Sequence, residues 1–312
     1  DENEEAKKGL ARYGKDYTEM ARLGELNNIT ERDEEIAAVI EILARKDMDS
    51  DYDEAINNPV LTGEAGTGKT AIAKSLAVLI ANRDEKVSFL WGYRLVYVSL
   101  GSLQSGTGIR GTLEAKIDEI LEDCQSEPTI LFLDELHIIM GLGQSEGSSG
   151  LEETLKPILA EGLSCIGATT TEEWRRDIES KDSAFARRWI PVVVSEPDEE
   201  KTLRIVRSAV NILARRHMVH FPDEVLSLSV AYGRKYMPYD ASPAREIDKI
   251  LNGVGARVKI DGRSEAEVED VIKVIAQITG MPLDTEESQR EKIVNARELF
   301  DSKIFCQSSA NA

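Results

Sequence analysis

The stretch Asn58–Ala71, NPVLTGEAGTGKTA, decides the fold. Its first half, PVLT, is short and apolar and runs straight into a glycine loop, which predicts a buried strand. Its second half spells Gly63-x-x-x-x-Gly68-Lys69-Thr70. Beyond it Ile72, Leu76, Leu79 and Ile80 fall on one face of a predicted helix over 70–82. Strand, glycine loop, helix is the context in which this spacing cradles phosphates. The glycines let backbone N–H groups converge on anionic oxygens, and the helix N-terminus adds the positive end of its dipole. Lys69 then reaches the terminal phosphates and Thr70 holds magnesium. The candidate nucleotide-binding residues are Gly63, Glu64, Ala65, Gly66, Thr67, Gly68, Lys69, Thr70 and Ala71, with ATP or ADP and Mg2+ as ligands.

Outward from this loop, strand-like and helical patterns alternate. RLVYVSL (94–100), TILFLDE (129–135), SCIGATT (164–170) and IPVVV (190–194) read as strands, with helical stretches between them. TILFLDE is apolar almost throughout, as expected of a parallel strand covered on both faces. With PVLT these make five strands of a doubly wound, parallel α/β sheet with flanking helices. Upstream, TERDEEIAAVIEILARK has Thr30 as N-cap and Ile36, Val39, Ile40 and Leu43 at helical spacing. After Pro197 every segment reads as helical. The expected layout is a helical arm at 1–28, a nucleotide-binding α/β domain at 29–196, a small all-helical domain at 197–283 and a linker at 284–312.

Composition limits the alternatives. Over 312 residues, 41% are hydrophobic and 30% charged, which is globular rather than disordered. The net charge of −19 repels phosphate backbones and anionic lipid, so nucleic acid and membrane are not expected partners. This also disfavours an initiator or clamp-loading ATPase acting on DNA. Three widely spaced cysteines form no Cys-x-x-Cys pair, so neither a zinc site nor a disulfide framework is indicated. A reducing, cytoplasmic compartment is expected. His217 and His220 share helical spacing but have no evident third ligand for a metal.

Further motifs supply the rest of a hydrolytic site. ILFLDE ends in Asp134 at the carboxyl edge of a buried strand, where such sheets place ligands, and Asp134 would hold magnesium. Glu135 would polarise the attacking water. GATT places Thr169 and Thr170 beside Asp134 if the two strands are neighbours, and His137 follows the acidic pair as a core or supporting residue. FARRW offers Arg187 and Arg188, able to stabilise a transferring phosphoryl group, in trans if need be. Arg245 in SPAREI would reach a bound nucleotide from the small domain. A second glycine-rich stretch, GTGIRG at 106–111, has no lysine with which to hold a phosphate.

Taken together, these motifs resemble an AAA+ ATPase, and more narrowly the first ATPase module of the Clp family of protein unfoldases and disaggregases. YGKDYTEMARLGEL, NPVLTGEAGTGKTA, LFLDELH, LKPILAEG and CIGATTTEEWRRDIESKDSAFARRW carry the resemblance, which covers roughly residues 10 to 283. It implies that Glu135 is the catalytic glutamate, that Thr170 is the sensor, and that Arg187 and Arg188 are arginine fingers acting on the neighbouring subunit. It implies that Ile29 and Thr30 frame the adenine, and that Gly108, Ile109 and Arg110 form a substrate loop facing a pore. There the family usually carries an aromatic residue. The segment Leu151–Pro157 also departs from the family's second pore-proximal pattern, and Arg245 stands where lysine is frequent. The resemblance further implies a homo-hexameric ring, protein substrates, an adaptor or protease partner, and a longer protein with a second module. The absence of room for a coiled-coil insertion favours the branch that lacks it. Two functions follow: an ATP-driven unfoldase threading polypeptide, or a nucleotide-switched ring-assembly module with little direct grip on substrate.

Overall fold

The computed structural model describes residues 9–26, 31–45, 56–105, 111–141, 151–160 and 162–281. The chain divides into two units. One comprises Asp1–Ser208 with Asp240–Ala244, the other Ala209–Tyr239 with Arg245–Ala312.

The first unit is built on a six-stranded sheet. Its strands are β1 (Lys15–Asp16), β2 (Asn58–Thr62), β3 (Arg94–Ser99), β4 (Thr129–Asp134), β5 (Ser164–Thr169) and β6 (Trp189–Val193), in the order β1-β3-β4-β5-β2-β6. Strands β2 to β6 are parallel, at the five places the sequence pattern marks. The flanking helices are α1 (Gly9–Tyr13), α2 (Tyr17–Arg22), α3 (Asp33–Ala44), α4 (Lys69–Ala81), α5 (Leu100–Ser105), α6 (Gly111–Ser126), α7 (Leu151–Ala160), α8 (Thr171–Glu173) and α9 (Ser183–Ala186). The helix α10 (Glu199–His217) begins in this unit and ends in the other.

Alternation along the strands divides the core into two layers. On β4, Ile130 and Phe132 join Leu61, Leu95, Ile166, Leu76 and Val39 on one face. Leu131 and Leu133 join Val60, Val98, Cys165, Ile117 and Leu155 on the other. Burial on both faces is the physical reason for the unbroken apolar run of β4. At about 1.5–3 kcal/mol for each fully buried aliphatic or aromatic side chain, these layers are the main force holding the strands in register.

The sixth strand departs from the five-stranded expectation. The arm read as helical contains β1, which pairs antiparallel with β3, Lys15 opposite Tyr97 and Asp16 opposite Val96. Gly14 permits this approach, because a Cβ there would lie 2.6 Å from Val96 Cγ1 and 2.8 Å from the Leu10 carbonyl oxygen. The Leu95 N–H donates to Thr18 Oγ1 at 2.9 Å, and the Leu10 N–H to the Asp123 carboxylate at 3.0 Å. The arm thereby covers what would otherwise be an open edge.

The second unit is helical, with the end of α10, then α11 (Asp223–Tyr236), a π-turn at Arg245–Leu251, α12 (Asn252–Ile260) and α13 (Val268–Thr279). Val225, Val230, Ile250, Leu251, Val254, Val258, Val271 and Ile275 are buried. Helix α13 stops at Gly280, whose φ of 70° is the left-handed C-terminal geometry glycine favours. His217 bonds Asn252 Oδ1 at 2.8 Å. Among the described residues no helix is long and apolar enough to cross a membrane.

Candidate nucleotide site

The site begins where β2 ends. Gly63 follows β2 under tight constraint: its N–H donates to the Thr169 carbonyl at 3.3 Å, and a Cβ there would sit 2.2 Å from the Val194 oxygen. The ends of β5 and β6 therefore fix the start of the loop. Gly66 and Gly68 adopt φ of 88° and 98°, backbone that side chains resist, and α4 starts at once. No side chain caps that helix, and its first turn holds no acidic residue. Its leading N–H groups are thus presented to an anion, together with the positive end of the dipole.

Two contacts brace the loop from behind. Arg32, buried at the start of α3, donates through Nη2 to the Thr67 carbonyl at 2.7 Å and through Nη1 to Glu35 at 2.6 Å. This anchor was not identified from the sequence, since its partner is a backbone carbonyl 35 residues away. From the other side, the Ala244 N–H donates to the Gly66 carbonyl at 3.3 Å, and the Ser242 N–H to Glu196 at 3.1 Å. The segment Asp240–Ala244 therefore belongs with the phosphate loop.

Lys69 Nζ donates to the carbonyls of Gly63 at 2.8 Å and Glu64 at 2.9 Å. Burial pulls its pKa down, while the nearby Asp134, Glu173 and Glu64 carboxylates push it up. The ammonium is held inside the loop by neutral acceptors that phosphate oxygens would outcompete.

Asp134 closes β4. Its Oδ1 accepts the Glu135 N–H at 3.0 Å, and its Oδ2 accepts the Tyr97 hydroxyl at 3.3 Å. A carboxylate here and the Thr70 hydroxyl at the start of α4 are hard oxygen donors, which suit Mg2+. Glu135 has a φ of 60°, the left-handed region that non-glycine residues rarely adopt. Its carboxylate rests against Gly101 of α5, where a Cβ would lie 2.5 Å from Glu135 Oε2. Gly101→Ala should therefore move the carboxylate tip and leave the sheet intact. Hydrolysis of a bound nucleoside triphosphate is expected to slow about 10- to 100-fold with unchanged nucleotide affinity, measured by phosphate release and equilibrium titration.

The strand-end hydroxyls sort themselves by geometry. Thr170 is the N-cap of α8: its Oγ1 accepts the Glu173 N–H at 3.2 Å while its own N–H donates to Glu173 Oε2 at 3.1 Å, a reciprocal capping box, and its hydroxyl donates to the same oxygen at 2.7 Å. Thr170, the residue the resemblance marks as the sensor, thus also caps α8. Thr169 ends β5 beside Gly63, and its Oγ1 donates to Glu173 Oε2 at 3.1 Å and lies 3.0 Å from His137 Nδ1. His137 supports this hydroxyl and sits 3.2 Å from the same Glu173 oxygen. Burial alone would raise the pKa of Glu173, but hydrogen bonds from Thr170, the His137 charge and the Thr169 hydroxyl bring it below the usual range.

Arg187 and Arg188 follow the short helix α9, which Asp182 caps and the fully buried Phe185 pins. Arg187 is exposed and Arg188 partly so, and neither makes an ion pair among the described residues. Arg245 lies in the helical unit. Its side chain is 2% exposed, with Nε and Nη2 each 2.8 Å from Glu246 Oε1 and Nη1 donating to the Met237 carbonyl. That guanidinium is buried within the helical unit, held by Glu246 and the Met237 carbonyl. Ile29, Thr30, Gly108, Ile109 and Arg110 lie outside the described residues. In the segment Leu151–Pro157, Lys156 pairs with Asp182 at 2.5 Å.

The family described as "ATPase family associated with various cellular activities (AAA)" matches residues 59–188, and the AAA lid domain matches residues 198–301. The chaperone protein ClpB of Rhizobium meliloti is 34% identical over 292 residues, covering 93% of this chain and 32% of that protein. ClpB of Rickettsia bellii is 38% identical over 264 residues, covering 84% of this chain and 30% of that protein. In a Saccharomyces cerevisiae Hsp104:casein complex, a chain 33% identical superposes with a TM-score of 0.74, covering 88% of this chain and 46% of that one. A closed-state Hsp104 bound to ATPγS and labelled casein gives 0.78 at 31% identity, covering 95% and 50%. The chain spans about a third of the length of the curated relatives it matches.

Proposed function

The chain belongs to the AAA family of ATPases, with an AAA lid behind the nucleotide-binding domain, and from that premise we propose that it is the ATP-hydrolysing module of a ring-forming, protein-remodelling chaperone. The observation that carries the reading is the pairing of an intact phosphate-handling cluster with two arginines that have no ion-pair partner among the described residues. Homology to ClpB and Hsp104 supports the chaperone class.

In this reading the N–H groups at the start of α4 and the Lys69 ammonium hold the β- and γ-phosphates. Asp134 and Thr70 would hold Mg2+, which neutralises phosphate charge when bound. Glu135 orients a water and takes its proton as the oxygen attacks the γ-phosphorus. The bond to the β–γ bridging oxygen breaks, ADP departs, and the proton passes on to the phosphate released. The sensor role falls to the threonine pair at the end of β5, Thr170 together with Thr169, whose hydroxyl is fixed by His137 and Glu173. Arg187 and Arg188 would reach the nucleotide of a neighbouring subunit, and Ile29 and Thr30 would frame the base. Gly108, Ile109 and Arg110 would meet polypeptide in the pore, with an isoleucine in place of an aromatic grip. Adaptors or a protease would act on the assembled ring.

The shared site predicts that specific ATPase activity rises with protein concentration, and that Arg187→Ala/Arg188→Ala lowers turnover by about 10³-fold without loss of nucleotide affinity. Activity independent of concentration, with normal turnover in the double variant, would sink it. The non-aromatic Ile109 favours a second reading, a nucleotide-switched assembly module. Substrate processing that survives Ile109→Ala would support that one.

A further inference from the structure

We propose that Tyr97 is a positioning residue for Asp134, held in place by the N-terminal arm through Tyr17. The proposal rests on reading Asp134 as the metal-binding carboxylate. Tyr97 and Ser99 face one way along β3, and the strand register sets them opposite Phe132 and Asp134 of β4. From there the Tyr97 hydroxyl reaches diagonally to Asp134 Oδ2 at 3.3 Å. The other oxygen, Oδ1, accepts the Glu135 N–H. With one donor on each oxygen, the carboxylate plane is fixed before any cation arrives. A phenol is a donor at neutral pH, so it can hold a carboxylate without competing for the cation by charge.

The ring of Tyr97 is itself held. It stacks on Tyr17, with centroids 5.3 Å apart and planes at 23°, and leans on Phe132 at 5.6 Å. Tyr17 is 4% exposed. It starts α2, directly after the β1–β3 pairing, and Thr18 beside it accepts the Leu95 N–H. The Lys74 ammonium of α4, five residues beyond Lys69, lies 5.5 Å from the Tyr17 ring centroid. The arm, the phosphate-loop helix and the metal carboxylate thus meet through one pair of stacked rings. Outer partners of this kind, which orient a ligand without touching the metal, tune metal affinity about 10- to 100-fold.

The test uses the whole chain and a fluorescent, non-hydrolysable ATP analogue, titrated in EDTA and at a series of free Mg2+ concentrations. Tyr97→Phe keeps the ring and the stack but removes the hydroxyl. Its midpoint for Mg2+-dependent binding is expected to rise about tenfold or more, with affinity in EDTA unchanged. Tyr17→Ala keeps the hydroxyl but removes the stack, and should shift the midpoint in the same direction by less. Tyr17→Phe, which preserves the stack, should leave it unmoved. A merely structural tyrosine would instead lower the melting temperature and weaken binding equally with and without Mg2+, and that result overturns the proposal. So does an unshifted Tyr97→Phe when Asp134→Asn is shifted. If Asp134→Asn is itself unshifted, the reading of Asp134 fails and takes the proposal with it.

Discussion

Lys69→Ala is expected to weaken nucleotide binding by on the order of 10²-fold or more, the loss of a charge-assisted contact to phosphate together with its ordering of the loop. Both parts are visible in the geometry. The ammonium already bonds the carbonyls of Gly63 and Glu64, so it ties the loop to itself before any ligand arrives. It is partly desolvated, so it would gain more from a phosphate than a cation in open water. Removing it leaves the α4 N–H groups as the main anion contact, and these alone are worth far less than the full cradle. Lys69→Arg should not rescue, because the planar guanidinium cannot occupy the compact position between two carbonyls. Equilibrium titration with labelled ATP decides the matter, and retained affinity would overturn the assignment of the loop.

Glu135→Gln is expected to separate binding from chemistry. Replacing the carboxylate by an amide of the same shape removes the proton acceptor and keeps the volume, so hydrolysis should fall about 10²- to 10⁴-fold while ATP affinity stays within about threefold. The positive φ of Glu135 bears on this. Such backbone costs on the order of 1–3 kcal/mol and persists only where surrounding structure enforces it. The enforcement is its N–H bond to Asp134 and its packing against Gly101. Because the amide preserves both, the variant should accumulate ATP-bound protein. Single-turnover phosphate release against nucleotide occupancy measures the split, and wild-type turnover would exclude Glu135 as the base.

What the sequence revealed follows from the range of each interaction. The strand–loop–helix of Asn58–Ala81 was legible because its glycine spacing and its apolar patterns are local. The five parallel strands were legible because burial on both faces leaves continuous apolar runs, most clearly in TILFLDE. β1 was not, since two polar residues have no pattern of their own and pair only because Gly14 lets the chain approach Val96. Arg32 was equally hidden, because nothing local marks an arginine whose partner is a distant carbonyl. The capping role of Thr170 could have been read beforehand, because Thr170-x-x-Glu173 is a capping box in the sequence itself. Arg245 is harder, since its neighbour Glu246 is an ion-pair partner only because the π-turn buries both.

The segment Asp240–Ala244 bears on how such a chain can be shuffled in evolution or recombined in the laboratory. It lies between stretches of the helical unit, yet it counts with the sheet and bonds the Gly66 carbonyl. The two units are therefore interleaved along the chain. A graft that exchanged everything after Ser208 would import a foreign pentapeptide beside the recipient's phosphate loop, and a chain cut at that residue would keep every strand and still lose the Ala244 bond to the Gly66 carbonyl.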